Sequence, residues 1–446
     1  MTRPLRICFV AYRGNMRCGG QGVYLWFLAR ELARLGHRVD VLVGPPYPDP
    51  MPFAHSLTQL PNEQFWGGWF SRDPARMLPQ PNPHAIFGPM NFYELSASWF
   101  GFLPEPFAFS VRAFRAVSRR LRAGDRYDIV HDVQCLGYGI HALQRLGLPV
   151  VSTVHHPLTV DRRASFVRDE TLRDAVGTMT FYPIGMQRFV ARRLDRIFTS
   201  SKVSAHQIAR DFGVAKQRLC MVANGVDTDL FRPDPSIPRN PREILCVGRA
   251  SDPNKGIKTL VEAFAKLPAD VRLTLVDEDN PENVGRKRAQ ELGCIDRLHI
   301  VGRVPVEELV RLYNRAALVA VPSRYEGFGL PAVEAMACGT PVVATRAGAL
   351  PEVLATGGGG LLVERDDPVS LAEGMGRLLA DDGLREDLGA RGRERVVAAY
   401  AWPRVAAATA EVYAEVLAAR GRPARTTTSA TDGARRAIQS SPSSTR

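Results

Sequence analysis

The chain has 446 residues, room for two or three domains with cores of their own at about 100–200 residues each. Hydrophobic residues make up 45% and charged residues 23%, an ordinary globular balance, and no apolar run approaches the roughly 20 residues that span a bilayer. The net charge of +12 suits nucleic acid, an anionic membrane or small anions, but no nucleic-acid-binding motif is present, which speaks against nucleic acid as a partner.

The start, Met1 to Leu5, runs straight into the strand-like RICFVAY, without the apolar stretch and small-residue cleavage site of a signal peptide. A cytoplasmic location is expected. The seven cysteines, Cys8, Cys18, Cys135, Cys220, Cys246, Cys294 and Cys338, form no Cys-x-x-Cys pair and no His/Cys cluster. Free buried thiols and no metal site are the expectation.

After RICFVAY comes the glycine-rich loop GNMRCGGQG, then VYLWFLARELARLG with apolar residues at helical spacing, ended by Gly36, then the strand HRVDVLVG. This strand–helix–strand unit implies parallel strands. Residues 45–105, rich in Pro and aromatics, read as irregular. YDIVHDV and LPVVSTVHH read as strands, followed by a long helical stretch through GMQRFVARRLDRIFTSS. The Pro-rich PDPSIPRNPRE reads as a linker. Strands REILCVGRA, VRLTLVDED, RLHIVGRV, ALVAVPS and TPVVATRAG then alternate with helices IKTLVEAFAKL, NVGRKRAQELG, VEELVRLYNRA and PAVEAMACG. From Gly421 onward the Ser/Thr/Arg/Pro-rich chain reads as a disordered tail. The sum is an α/β protein with two doubly wound, Rossmann-like halves and a cleft between them. The expected boundaries are 1–222, a linker 223–242, 243–400, a last helix 401–420 and the tail 421–446.

Chemistry concentrates in PSRYEGFGLPAVEAMACGTPVV. Pro331 suits a first helical turn. Gly327 and Gly329 let backbone approach a ligand, and the N–H groups of Phe328 to Leu330 form an anion site at the helix start. Glu326 can reach sugar hydroxyls and Glu334 a ribose diol, because a carboxylate accepts from vicinal hydroxyls. A helix cap for Glu326 and a solvated face for Glu334 are the bland alternatives. In VGRASDPNKGIKTL, Arg249 and Lys255 follow a strand end, where two cations can hold a diphosphate without a metal. Gly19 and Gly20 offer amides before the first helix, in a loop that is neither a P-loop nor a dinucleotide fingerprint. His155 and His156 follow VVSTV and can contact a sugar hydroxyl or acceptor, as can Asp161. Asp227-Thr-Asp229 matches a bare Asp-x-Asp metal pattern, but turn and capping roles explain both carboxylates.

Together GGQGVY, TVHH, ANGVD, VGR…NKG, VGRVP and EGFGLPAVEAMACGTPVV resemble the family 4 retaining glycosyltransferases of GT-B fold. The resemblance implies a nucleoside diphosphate sugar as donor substrate, no permanently bound cofactor, and an acceptor on the N-terminal domain. Arg249 and Lys255 would hold the diphosphate, Glu334 the ribose and Glu326 the transferred sugar. The backbone near Arg303 and Val304 would meet the base, Gly248 would belong to the donor site, and Gly20 would approach the diphosphate. His155 fits the family's sugar-contacting histidine better than His156. YAWPRVAAATAEVYAEVL resembles a final helix that packs back on the N-terminal domain. The turn Val276-Asp277-Glu278-Asp279 departs from the family's glycine-rich one.

Competing readings are a phosphorylase, a nucleotide-sugar epimerase and a non-catalytic binding protein. The amphipathic stretch 105–123 offers Phe107, Phe114, Val117 and Leu121 on one side, with Arg112, Arg115, Arg119, Arg120 and Arg122 nearby. Peripheral docking on an anionic membrane competes there with a plain core helix. The region of Trp66, Trp69 and Trp99 offers either an acceptor lid or simple packing on the sheet.

Overall fold

Short apolar strands alternate with helices along both halves of the chain, and strands consecutive in sequence pair side by side except at one crossover in each sheet. The computed structural model describes residues 3–16, 20–61, 79, 82–166, 177–179, 181–354 and 358–421. Gly19, Cys18, Trp66, Trp69 and the tail beyond Gly421 lie outside the described residues. Two compact units emerge. One holds the chain to Ser200, Ser204–Val222 and the residues from Ala406, and the other holds Ser201–Val203 and Ala223–Val405.

In the first unit seven parallel strands are described, β1 (Arg6–Ala11), β2 (Arg38–Val43), β3 (Ser56–Gln59), β4 (Ile129–Val133), β5 (Val150–Thr153), β6 (Arg196–Thr199) and β7 (Leu219–Met221). Their order is β3-β2-β1-β4-β5-β6-β7. Every residue of β4 and β5 is buried. A parallel sheet covered on both faces demands such runs rather than an alternating pattern. In the second unit six parallel strands are described, β8 (Asn240–Val247), β9 (Arg272–Val276), β10 (Leu298–Val301), β11 (Ala316–Val321), β12 (Val342–Thr345) and β13 (Gly360–Val363). Their order is β10-β9-β8-β11-β12-β13. The helix Ile257–Phe264 buries Ile257, Leu260, Val261 and Phe264, a single apolar stripe at helical spacing. Each such side chain contributes about 1.5–3 kcal/mol through burial.

Three expectations need correction. The stretch read as helix through RIFTSS splits. The helix ends at Ala191, and Arg196–Thr199 is strand β6, whose Ile197, Phe198 and Thr199 are buried. Residues 45–105 are not irregular throughout, since they hold β3 and the helix Pro89–Trp99. That helix buries Glu94, Ala97 and Ser98 rather than a large apolar stripe, so periodicity conceals it. Residues 223–242 are not a free linker. Val226 and Phe231 are buried in the second unit's core, and β8 already begins at Asn240.

The helix Glu105–Arg122 spends its apolar side on the core. Phe109, Ala113 and Val117 are buried, and Phe107, Phe114 and Leu121 pack against the same cluster. Arg112 is bound to buried Glu94 and Arg120 to Thr58, Ser56 and Tyr127. Membrane docking gains no support from this helix. Among the described residues no helix is long and apolar enough to cross a membrane. The six described cysteines are free, and all but Cys220 are buried. From Ala406 the last helix, Trp402–Ala419, belongs to the first unit, where Tyr413 Oη meets His131 Nδ1 at 2.5 Å.

Candidate active site

Open parallel sheets bind ligands outside the carboxyl ends of their strands, at the point where strand order reverses. In the second unit that point lies between β8 and β11. The loops leaving these two strands carry Arg249, Lys255 and Glu326.

The β8 loop is built tightly. Asp252 accepts the Asn254 amide at 2.9 Å and starts a single turn of 3-10 helix, Pro253–Lys255. Gly256 follows at φ +64, where an added Cβ would lie 2.0 Å from the Pro322 carbonyl oxygen. Only glycine brings this loop so close to the end of β11. The Arg324 amide then donates to the Asn254 carbonyl at 2.7 Å, joining the two loops. As a result Lys255 Nζ lies 2.6 Å from Glu326 Oε1, which also accepts from Ser323 Oγ at 3.0 Å. Glu326 is buried, and Lys255 stays partly open. Arg249 is exposed and makes no ion pair among the described residues. A Cβ on Gly248 would make only ordinary contact with the Lys255 stem at 3.5 Å, so packing within the protein does not require glycine there.

The β11 loop enters the helix Leu330–Ala337 through Gly329 at φ +94, with Pro331 in the first turn. Phe328 is buried, edge-on to Tyr400 at 5.4 Å, and anchors the loop. Gly327 is half-buried, and its carbonyl accepts from Ser201 Oγ at 3.0 Å. The amides of Phe328, Gly329 and Leu330 meet no protein acceptor among the described residues, as an anion site at a helix start requires. Behind the loop the Ala349 amide donates to the Glu326 carbonyl at 2.9 Å, and Gly348 sits where a Cβ would overlap that carbonyl. Glu334 is half-buried, and its Oε2 accepts from Tyr313 Oη at 2.8 Å. Burial raises its pKa, against that hydrogen bond.

The unusual turn after β9 has a structural role. Asp277 Oδ2 accepts the Ala250 amide and Asn283 Nδ2, both at 2.8 Å, and so braces the residue next to Arg249. Glu278 pairs with Arg303 at 2.9 Å in the open, Asp279 pairs with Arg286, and Val304 packs on the core. Asp227 Oδ1 accepts the amides of Asp229 and Leu230, as its capping role requires. From sequence, Ser323 and Gly256 carry no role of their own beyond the NKG motif, and Asp277 stands out only as part of the turn that departs from the family pattern.

In the first unit strand order reverses between β1 and β4. Gly20 is exposed and opens the helix Gly20–Arg34. Gly22 is the glycine that packing requires, since its Cβ would lie 2.2 Å from the Asn15 carbonyl oxygen. His155 leaves β5 half-buried, with its ring edge-on to Tyr24 at 4.9 Å. His156 beside it is half-buried. Asp161 lies on the helix Leu158–Phe166, and its side chain is outside the described part. Beneath them His131 is fully buried, bonded to Tyr413 Oη and to Thr153 Oγ1 at 2.6 Å, and burial pushes its pKa down to about 3. Neighbouring Asp132 is pushed up to about 7 by burial.

Two all-parallel Rossmann-like domains, with cations and carboxylates at a switch point, define a glycosyltransferase of GT-B architecture. The family model for glycosyl transferases group 1 matches residues 227–395, and that for glycosyltransferase family 4 matches residues 18–230. The chain is 40% identical over 417 residues to an MMP α-(1→4)-mannosyltransferase of Mycolicibacterium hassiacum, covering 93% of this chain and 99% of the relative. A D-inositol 3-phosphate glycosyltransferase of Xylanimonas cellulosilytica is 33% identical over 92% of this chain and 95% of its own. Among solved structures, a sucrose-phosphate synthase from Thermosynechococcus elongatus superposes with a TM-score of 0.68 at 26% identity, covering 93% of this chain and all of that one. HepE of Anabaena, solved with UDP and glucose, shares the fold at 19% identity and a TM-score of 0.65, over 92% of this chain and 99% of its own. The chain belongs to the family 4 glycosyltransferases.

Proposed function

We propose that this enzyme moves a hexose from a nucleoside diphosphate sugar to a hydroxyl acceptor, with retention of anomeric configuration and without a metal ion in the active site. The observation that carries the reading is the pairing of Lys255 with Glu326 across the loops of the two strands flanking the switch point, with Arg249 on the β8 loop beside them in sequence. In the reaction the bond from the anomeric carbon to the diphosphate oxygen breaks. The acceptor oxygen bonds to the same face of that carbon, and its proton passes to the departing phosphate oxygen. Negative charge grows on the diphosphate, and preorganised cations and amides lower the barrier most when aimed there. Arg249 supplies a charge that no carboxylate among the described residues neutralises. Lys255 supplies the protons Glu326 leaves free, since an ammonium has three to give. The amides of Phe328, Gly329 and Leu330, which meet no protein acceptor among the described residues, add uncharged donors. Glu326 orients the sugar, Glu334 the ribose, and His155 contacts a sugar hydroxyl.

Because the Mycolicibacterium relative is named for mannosyl transfer, a mannose donor is the first to try. The acceptor class remains a saccharide, lipid or small metabolite hydroxyl, with a cytoplasmic enzyme acting on it. The test is a thermal-shift screen of GDP-, UDP- and ADP-sugars on the purified protein, followed by NMR of the product anomer. A ligand that binds only the native state raises its melting temperature. A stabilising donor and a product of unchanged anomeric configuration are expected. Conversion of donor without any acceptor would favour an epimerase and overturn the reading.

A further inference from the structure

The turn between β4 and the helix Tyr138–Leu143 belongs to none of the residues assigned above, yet its backbone is unusual among the described residues. Among the described residues three that are not glycine have positive φ, and two of them, Gln134 at +57 and Leu136 at +50, sit in this turn. Side chains rarely adopt that backbone, and it persists only where the surroundings over-determine it. Here they do. Asp132 Oδ2 accepts the Leu136 amide at 3.1 Å, Cys135 Sγ donates to the Pro106 carbonyl at 3.1 Å, and the Gly139 amide donates to Ser110 Oγ at 3.1 Å.

The consequence is the placement of one side-chain amide. Gln134 is buried, its Oε1 accepts the His155 amide at 3.0 Å, and its Nε2 donates to the His156 carbonyl at 3.3 Å. A glycine would take the same backbone without strain but would carry no amide. The strained conformation is therefore retained for what the side chain holds, which is the backbone of the two histidines leaving β5. The ring of His155 is held separately, edge-on to Tyr24, whose hydroxyl meets Thr153 Oγ1 at 2.8 Å.

We infer that Gln134 is a positioning residue for the transfer reaction, clamping the His155–His156 backbone so that His155 meets its hydroxyl in a fixed place. The inference rests on the reading of His155 as a substrate contact, given above. Gln134 itself touches no substrate. Its loss leaves donor binding intact and slows turnover, because a misplaced contact costs far more in the transition state than in the ground state.

The experiment compares Gln134→Asn, His155→Ala and the double variant, using the donor that the thermal-shift screen identifies. Asparagine tolerates positive φ and keeps an amide, but it is one methylene too short to span both bonds. Gln134→Met keeps the length without the amide and serves if the first variant folds poorly. The expected result is a fall in kcat of about 10–100-fold, with donor KM within about 2-fold, and a double variant no slower than His155→Ala alone. Full activity in Gln134→Asn and Gln134→Met, beside an impaired His155→Ala, would overturn the clamp while leaving the histidine's role intact. Full activity in His155→Ala would remove that role and the clamp with it. Multiplying losses in the double variant, or failure of both Gln134 variants to fold, would also overturn it, since the glutamine would then act elsewhere.

Discussion

Lys255 and Glu326 stand 71 residues apart in sequence on loops from β8 and β11, yet Nζ and Oε1 meet at 2.6 Å with the carboxylate buried. In the proposed function each has its own task, phosphate for the lysine and sugar for the glutamate. Paired, they are one unit, with the lysine's charge compensated and the carboxylate's orientation fixed. Arg249, on the same β8 loop, makes no ion pair among the described residues.

Removing one partner of such a pair leaves the other buried without compensation. Lys255→Ala is expected to lower stability by about 1–3 kcal/mol, the cost of a buried unsatisfied group, and to abolish turnover. The double variant Lys255→Ala/Glu326→Gln should recover much of the stability and none of the activity. Urea midpoints beside turnover rates check this, and a double variant as unstable as the single one would refute the pairing.

Arg249 is exposed, and its side chain makes no hydrogen bond or ion pair among the described residues. Arg249→Ala should therefore melt within a degree or so of the parent, since surface changes cost little. Its affinity for nucleoside diphosphate should fall about 10–100-fold, the worth of a hydrogen bond to a charged group. Titration calorimetry reads the second quantity directly.

Asp277 braces Ala250 through Oδ2. Asp277→Ala leaves the Ala250 amide without its acceptor and is expected to cost about 1–3 kcal/mol and to raise donor KM. Asp277→Asn keeps one acceptor oxygen and should be milder. Equal behaviour of the two in denaturation would show that the brace is not what the turn provides.

Two buried groups oppose each other in their effect on stability with pH. Asp132 titrates at about 7 in the folded chain against 3.8 for an ordinary carboxyl, so the folded state holds the extra proton between those values. Its contribution is full below the unfolded pKa and is lost as pH rises toward 7. His131 titrates at about 3, below its ordinary 6.5, so its contribution grows as pH rises through that interval. Asp132→Asn removes the falling term. Its stability should rise with pH between about 4 and 6.5 more steeply than the parent's. Parallel urea-midpoint profiles for the two proteins would contradict this.

What the sequence discloses follows the range of the interactions. EGFGLPAVE is local, since strand end, left-handed Gly329, Pro331 and helix are consecutive, and each leaves a residue-level mark. The two parallel halves are legible for the same reason, because strands buried on both faces must be apolar throughout. The helix Pro89–Trp99 is not, because it buries Glu94 against Arg112 in place of an apolar stripe. Strand β6 is hidden by the helix that runs up to it. The Lys255–Glu326 pair and the Asp277 brace are long-range contacts with no mark in either segment. Gln134 is hidden more thoroughly, since glutamine at positive φ has no sequence signal at all.

The most direct test of the donor site compares Arg249→Ala and Glu326→Gln by titration with the nucleoside diphosphate alone and by turnover of the sugar donor, with and without EDTA. In the proposed function Arg249 answers to the diphosphate and Glu326 to the sugar. The account expects weakened diphosphate binding in Arg249→Ala, none in Glu326→Gln, loss of turnover in both, and no effect of EDTA on the parent. Parent-like turnover in either variant, or activity that EDTA abolishes, would contradict it.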